Sequence, residues 1–403
     1  MTDEVLLVTQ PETPVPPSSG MAPSNDEGAS STEVRVQLFA RTDVGQVREH
    51  NEDNFLVADL SRRSRGLLEA NRATVIGDQG AVFAVCDGMG GAAAGEIASQ
   101  LAVDIIYERL VDGLGDRPVR RDDLARRLVR AVESAGLRIF HEAKADRSRR
   151  GMGTTVTAAA LVDEVLFFAQ VGDSRGYVLR GDTLVQLTRD QSLVNQLIEA
   201  GQLTEEEAET FEHNNIILQA LGTSDTVQVD LTYCELRKGD LLLLCSDGLS
   251  GMVRFDEIRE SLRSGAEPLD ICKTLTERAN QAGGHDNITV IVVHFDGEGL
   301  RPVDPASTEP LKYQKYVLAE ELVDDRTAPM AAVRDGHGTP ASPDVSADGP
   351  RVPSKAPQVW NESPSLDYER VDIPGTHVPI WMVIGIVAGV VVLLAGTAFL
   401  LLR

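Results

Sequence analysis

The distribution of proline divides the chain into parts that can and cannot form regular structure. Of the 19 prolines, five lie in residues 1–33 and eleven in residues 301–377, whereas only Pro118 and Pro268 fall within residues 34–300. Proline interrupts helices and central strands, and both proline-rich stretches show little hydrophobic periodicity. The sequence therefore predicts a disordered N-terminal arm, one folded domain over residues 34–300 and a flexible linker.

An uncharged stretch near the C-terminus has the length and composition of a membrane span. Residues 380–402 contain no charged side chain, and a helix of that length reaches roughly 34 Å, enough to cross a bilayer core of about 30 Å. Trp381 stands where an aromatic side chain would meet the membrane surface. We expect a single-pass tail anchor within residues 378–403, with only Arg403 beyond the span, that ties the chain to the cell membrane.

The N-terminal sequence and the cysteines indicate that the folded domain lies in the cytoplasm. Residues 1–14 have an acidic flank and a short apolar run, without the basic flank and long apolar run of a secretory signal. The cysteines form no CxxC pair, which excludes a zinc ribbon or a dense disulfide framework and fits reduced thiols. The four cysteines are Cys86, Cys234, Cys245 and Cys272.

The balance of charged residues argues against some classes of function. Aspartate and glutamate number 62 against 38 lysine and arginine, for a formal net charge of −24. Such an excess argues against a protein that binds nucleic acid through its bulk charge. It suits a site that collects divalent cations.

The middle of the chain has the pattern of an α+β domain with antiparallel sheets. Apolar, β-rich runs joined by short polar turns are typical of hairpins, and repeated βαβ alternation is absent from the pattern. Residues 61–79 are predicted to be a surface loop. Strands are predicted at residues 82–86, 155–161, 165–171, 176–179, 241–245 and 288–295, and helices at 94–110, 121–145, 192–200 and 268–281.

Acidic residues recur at the ends of the predicted strands. One such aspartate alone is usually a turn former or a helix cap, but several that converge at one rim would repel one another. Mg²⁺ and Mn²⁺ would relieve that repulsion, because both ions prefer oxygen ligands. The acidic residues are Asp87, Asp173, Asp247 and Asp286, together with the adjacent pair Glu52 and Asp53.

Seven segments occur in this order along the chain: GQVREHNED, FAVCDGMGG, GMGTTVTAA, VGDSRGYVLR, LTRDQSLV, LLLCSDGLSG and GGHDNITVIVV. Together they give the chain a specific resemblance. Over about residues 36–296 the chain resembles metal-dependent protein phosphatases of the PPM family (type 2C), of the bacterial kind. The resemblance implies two antiparallel sheets packed face to face with helices outside each, and hydrolysis of phosphoserine and phosphothreonine in proteins.

The resemblance also implies a site with two core Mn²⁺ or Mg²⁺ ions and a weaker third. Asp87 would bridge the two core ions, Asp247 and Asp286 would complete the protein ligands of one, and the Gly88 carbonyl would bind the other. Asp173 would bind the third ion.

Further residues would surround these ligands. Glu52, Asp53 and Asn287 would form a second layer around the ions, and Arg48 would hold the substrate phosphate. A water activated by the metals would attack phosphorus in line, without a covalent enzyme intermediate. The other interpretation of Arg48 is a surface arginine paired with a nearby glutamate.

The chain departs from the family pattern at several positions. Met89 replaces the histidine proposed in eukaryotic members as the acid for the leaving group, so the proton donor is unassigned. Gln191 stands where many bacterial members have histidine. By the resemblance, residues 211–222 correspond to the flap beside the active site, and the changes there leave the core chemistry intact and the substrate preference unassigned. The altered flap residues are Phe211, Glu212 and Gln219.

Parts of the sequence are compatible with two other functions. The spacing from Cys272 to Arg278 matches a cysteine-dependent phosphatase loop, but that segment has no glycine and follows an apolar helix face, so a packing role is favoured. The second alternative is a pseudophosphatase that senses a phosphoprotein or a metal without turnover. The favoured partners are Ser/Thr protein kinases and their substrates, together with the membrane, and not nucleic acid.

Overall fold

Strands and helices alternate along the domain in blocks. The computed structural model describes residues 33–66, 73–90, 94–115, 117–208, 211, 215–304 and 311–318. The strands in these residues are β1 (Val34–Asp43), β2 (Asp53–Asp59), β3 (Ser64–Arg65), β4 (Thr74–Ile76), β5 (Ala81–Met89), β6 (Gly153–Thr154), β7 (Val156–Val162), β8 (Val165–Val171), β9 (Arg175–Arg180), β10 (Thr183–Gln186), β11 (Asp230–Glu235), β12 (Leu241–Cys245) and β13 (Ile288–Asp296). The helices are α1 (Ala94–Val111), α2 (Arg121–Ala145), α3 (Leu193–Glu199), α4 (Glu205–Ala208), α5 (Asp247–Ser250), α6 (Phe255–Leu262) and α7 (Pro268–Gln281).

The strands form two antiparallel sheets. The first has the order β10-β9-β12-β13-β1-β4, and the second has the order β11-β8-β7-β5-β2-β3, with β6 paired to β5. All seven residues of β7 and all seven of β8 are buried. Strands that are apolar on both faces need cover on both sides, so the second sheet must lie between two other layers.

Three apolar clusters show how the layers are arranged. Phe83 and Phe168 of the second sheet pack with Val293 of the first, so the sheets meet face to face. Ile106 of α1 belongs to a cluster on the outer face of the second sheet. Leu275 of α7 belongs to a third cluster, on the outer face of the first sheet. The predicted α+β sandwich with helices on both outer faces is therefore confirmed.

The sequence pattern predicted the bounds of long helices and strands more accurately than those of short ones. The predicted bounds of β8, β12, α2 and α7 match the structure, because each has a clear apolar period. The loop predicted over residues 61–79 instead contains β3 and β4, which pair with β2 and β1 at the edges of the two sheets. Strands of two and three residues are too short to show an apolar pattern.

Part of the predicted linker packs against the second sheet. We call residues 311–318 the strap. It runs antiparallel to β11, with a backbone bridge between Thr232 and Lys315. Tyr316 and Leu318 pack on the cluster that includes α1 and α2. Folded contacts thus extend past residue 300.

The predicted tail anchor lies outside the described residues, as do residues 1–32. In the part of the chain that the structure describes, no helix has both the length and the apolar content needed to cross a bilayer.

Candidate active site

Strand pairing gathers the predicted site residues at one rim of the sandwich. Asp53 at the start of β2 lies opposite Asp87 near the end of β5. Asp247 follows β12 and Asp286 precedes β13, and these two strands pair with each other, so both carboxylates leave the first sheet at the same end. Asp173 follows β8 of the second sheet. Asp87 lies within β5 rather than after it, which is a small change from the prediction.

The carboxyl groups of Asp87 and Asp247 meet between the sheets. Burial, followed by the charges of Asp53 and Asp247, raises the pKa of Asp87 well above its ordinary value. Burial and the nearby Asp286 carboxylate also raise the pKa of Asp247. Two buried carboxylates this close repel each other unless a proton or a cation compensates their charge.

Asp53 is buried beside this pair, and only one of its two carboxylate oxygens accepts hydrogen bonds. Its Oδ2 accepts hydrogen bonds from the hydroxyls of Ser246 (2.8 Å) and Thr289 (2.7 Å), whereas its buried Oδ1 has no hydrogen-bond partner. Burial raises the pKa of Asp53 to about 7, against the effect of the two hydroxyls and with a further contribution from Asp247.

Asp173 has a similar environment and lies close enough to Asp247 to feel its charge. Its Oδ1 is buried without a hydrogen-bond partner. Burial, followed by the charges of Asp247 and Asp190, raises the pKa of Asp173 to about 7.

This donor set fits divalent cations that keep part of their water shell. Asp53, Asp173 and Asp247 each present a buried carboxylate oxygen without a partner, which is costly unless a cation or proton compensates it. In the described ranges, no group of three or more His, Cys, Asp and Glu side chains converges as a closed metal cage would. Mg²⁺-type ions are commonly bound by one or two carboxylates plus waters, so a closed cage is not required.

Arg48 lies next to a predicted metal ligand. Its Nη2 donates to Asp286 Oδ2 at 2.7 Å, and its side chain is 49% exposed. Burial lowers the pKa of Arg48, but the Asp286 carboxylate outweighs that effect and leaves the pKa raised. Arg48 is thus paired with Asp286 rather than with Glu52, and its guanidinium is directed toward the carboxylates.

Asn287 fixes the loop that carries Arg48. Its Nδ2 donates to the carbonyl oxygens of Val44 and His50, both at 2.9 Å, and its Oδ1 accepts from the Glu52 backbone N–H at 2.8 Å. The predicted second-layer position of Asn287 therefore has a clear structural role in holding the loop.

Close backbone packing explains Gly88. A Cβ at this position would lie 2.5 Å from the Glu52 carbonyl oxygen and 2.3 Å from that of Gly95. Burial raises the pKa of the Glu52 carboxyl group, which lies close to Gly95 at the start of α1.

Two of the residues that depart from the family pattern, Gln191 and Gln219, are hydrogen-bonded to each other. Gln191 Oε1 accepts from the Gly172 N–H at 2.9 Å and from Gln219 Nε2 at 2.9 Å. Gln219 also pairs twice with the backbone of Gln228. Phe211 is half-buried, and Glu212 lies outside the described residues.

The sequence reasoning missed Gln228 and the hydroxyls of Ser246 and Thr289. Ser246 could have been found, because it directly precedes Asp247. Thr289 and Gln228 gave no signal, since their importance comes from residues distant in sequence. The cysteine alternative fails physically: burial raises the pKa of the Cys272 thiol to about 12, so its thiolate is scarce near neutral pH.

Comparisons with known proteins decide the family. Residues 61–289 match the family model described as protein phosphatase 2C. The chain belongs to this family. It is 39% identical over 263 residues to protein phosphatase PhpP of Streptococcus pneumoniae, an alignment that covers 65% of this chain and 99% of PhpP. It is also 36% identical over 256 residues to the serine/threonine phosphatase stp of Listeria monocytogenes, covering 64% of this chain and 94% of stp.

Solved structures agree with the sequence matches. The crystal structure of the Mycobacterium tuberculosis serine/threonine phosphatase PstP/Ppp superposes with a TM-score of 0.55 at 35% identity, covering 65% of this chain and all of that one. The PstP catalytic domain in complex with two manganese ions superposes with a TM-score of 0.54 at 35% identity, covering 66% of this chain and all of that one. The chain is therefore a bacterial PPM-type protein-serine/threonine phosphatase.

Proposed function

We propose that the chain hydrolyses phosphoserine and phosphothreonine in proteins with two core divalent cations, Mn²⁺ or Mg²⁺, and a weaker third. The observation that carries the proposal is the convergence of Asp87 and Asp247 from opposite sheets, surrounded by buried carboxylate oxygens that lack partners. The two manganese ions in the PstP catalytic domain support the same assignment.

Five residues would hold the ions. Asp87, Asp247 and Asp286 would contribute carboxylates to the core ions, the Gly88 carbonyl would contribute to one of them, and Asp173 would serve the third. Bound ions would supply a water of lowered pKa and neutralise developing charge on the phosphoryl oxygens.

The remaining residues orient the substrate and the ligands. Arg48 would bind two phosphoryl oxygens with its planar guanidinium. Its hydrogen bond to Asp286 places that guanidinium next to a proposed metal ligand. Ser246 and Thr289 fix the orientation of the Asp53 carboxylate. The thioether of Met89 carries no acidic proton, so the leaving group must receive its proton from elsewhere.

A phosphate-release assay tests this proposal. Purified full-length protein should release phosphate from phosphoserine and phosphothreonine peptides with added Mn²⁺, and chelation with EDTA should abolish the release. The control is Asp112→Asn, at an exposed position directly after α1, which should retain full activity. Binding of phosphopeptide without phosphate release would favour the pseudophosphatase alternative, and metal-independent release would contradict the assigned chemistry.

We also propose that the enzyme is tethered to the cell membrane by residues 378–403, with its catalytic domain in the cytoplasm. The uncharged run in the sequence and four free, buried cysteines support this arrangement, and Ser/Thr protein kinases and their substrates would be the partners there. The chain should fractionate with membranes. Protease added to spheroplasts should leave the domain intact, and digestion from outside would contradict the orientation.

A further inference from the structure

The strap adds a short antiparallel pairing to the exposed edge of the second sheet. The Tyr233 N–H donates to the Gln314 carbonyl at 3.1 Å, and the Tyr316 N–H donates to the Leu231 carbonyl at 2.9 Å. The Tyr316 ring meets Phe167 edge-on, with ring centroids 4.9 Å apart. Tyr313 lies three residues before Tyr316 in the strap, and its side chain reaches Asp230 at the start of β11.

Tyr313 contacts both ends of one long connection. The β10–β11 connection (residues 187–229) contains the flap residues and ends directly before Asp230. The Tyr313 hydroxyl donates to Asp230 Oδ2 at 2.6 Å. Near the other end of the connection, the Arg189 guanidinium lies over the Tyr313 ring, 4.2 Å from its centroid. One side chain of the strap therefore joins residues 41 positions apart (230 − 189).

Asp230 also forms an ion pair with Lys315 of the strap, and the Tyr313 hydroxyl that donates to Asp230 is protonated. Lys315 Nζ lies 2.9 Å from Asp230 Oδ1, whose side chain is largely buried. Burial and the hydrogen bond to Asp230 raise the pKa of Tyr313, so its hydroxyl keeps the proton that it donates.

Residues next to Arg189 and Asp230, at the two ends of the connection, form hydrogen bonds that lead to the loop carrying Asp173. Gln191, two residues after Arg189, accepts from the Gly172 N–H at 2.9 Å, and its own N–H donates to the Gly172 carbonyl at 2.8 Å. Gln228, two residues before Asp230, is tied to Gln191 through Gln219, by bonds of 2.8 and 2.9 Å.

Another pairing brings the end of the flap to the site itself. The backbones of Leu221 and Thr154 exchange hydrogen bonds of 2.9 and 3.1 Å. The Thr154 hydroxyl donates to the Asp87 carbonyl at 2.8 Å. The position of the β10–β11 connection is thus coupled to both Asp87 and the Asp173 loop through direct contacts.

We propose that Tyr313 is a positioning residue of the phosphatase site: it holds the two ends of the β10–β11 connection together and so fixes residues 215–222 of the flap beside the Asp173 loop. The inference rests on the proposed function. A phosphopeptide extends beyond the reacting phosphate and can contact the flap, whereas a small aryl phosphate reaches only the ions and Arg48. Tyr313 therefore affects recognition of peptides more than the chemical step.

Steady-state kinetics of the purified full chain with Mn²⁺ test this inference. Tyr313→Ala should raise KM for a phosphopeptide about threefold to tenfold, the range expected for one lost hydrogen bond, with kcat for para-nitrophenyl phosphate within about twofold of wild type. Tyr313→Phe keeps the ring over Arg189 and should be intermediate. Val317→Ala is the matched control, because Val317 lies in the strap and is 53% exposed.

A double-mutant cycle separates positioning from a general loss of packing. If Tyr313 acts through Arg189, adding Tyr313→Ala to Arg189→Ala should raise the peptide KM less than it does in wild type. Fully independent effects, or equal losses of kcat on both substrates with a lowered melting temperature, would overturn the positioning role. An active wild type with unchanged Tyr313 variants would reject the strap inference alone, whereas an inactive wild type would reject the proposed function instead.

Discussion

Removing divalent cations should make the domain less stable as pH rises. The pKa of Asp53 and that of Asp173 are raised from 3.8 to about 7, mainly by burial. Each rise of about three units corresponds to about 4 kcal/mol of unfavourable free energy once the group is ionised. Because the folded state holds these protons more tightly, the free energy of unfolding should fall from about pH 4 to about pH 7, by up to about 1.4 kcal/mol per pH unit for each group.

Thermal denaturation of the full chain at pH 5, 6, 7 and 8, in EDTA and in Mn²⁺, measures this effect. For a domain of this size, about 1 kcal/mol shifts the melting temperature by about 2–4 °C, so the metal-free protein should lose about 10 °C or more between pH 5 and pH 8. Bound Mn²⁺ compensates the ionised carboxylates, so the stabilisation that it gives should grow with pH.

A substitution of Asp53 tests whether its buried charge causes this pH dependence. Asp53→Asn removes one buried charge but keeps an oxygen for Ser246 and Thr289, so it should raise the metal-free melting temperature at pH 8 relative to wild type, and much less at pH 5. The exposed control Asp112→Asn should change neither value. A metal-free melting temperature that does not vary with pH, or equal stabilisation by Mn²⁺ at every pH, would refute this reasoning.

Three further predictions concern turnover. Asp247→Asn should abolish phosphate release while the circular dichroism spectrum stays folded, because it removes one negative charge from the cluster with little change in volume; substantial Mn²⁺-dependent activity would exclude Asp247 as a ligand. Arg48→Ala should raise KM for phosphopeptide and leave part of kcat, and unchanged kinetic constants would show that Arg48 does not contact substrate. Asp173→Ala should keep the core chemistry but shift the Mn²⁺ concentration required for half-maximal activity; an unaltered metal titration would remove Asp173 from the site.

The sequence by itself determined the long elements and the acidic character of the site. The buried strands and α2 and α7 follow from apolar periodicity, which is a local property of the chain. The aspartates at strand ends could be recognised for the same reason, because a strand delivers the residue at its end to the rim of its sheet. The order of seven motifs then indicated the family.

Only the tertiary structure decided which of these groups meet and what else holds them. Arg48 and Asp286 are 238 positions apart, and Asp53 depends on Thr289, 236 positions away. The strap was hidden within a proline-rich stretch that resembles a linker, because its stability comes from an edge strand and aromatic partners elsewhere in the chain. Contacts of this kind depend on the register of non-local strand pairing, which a local pattern of residues does not specify.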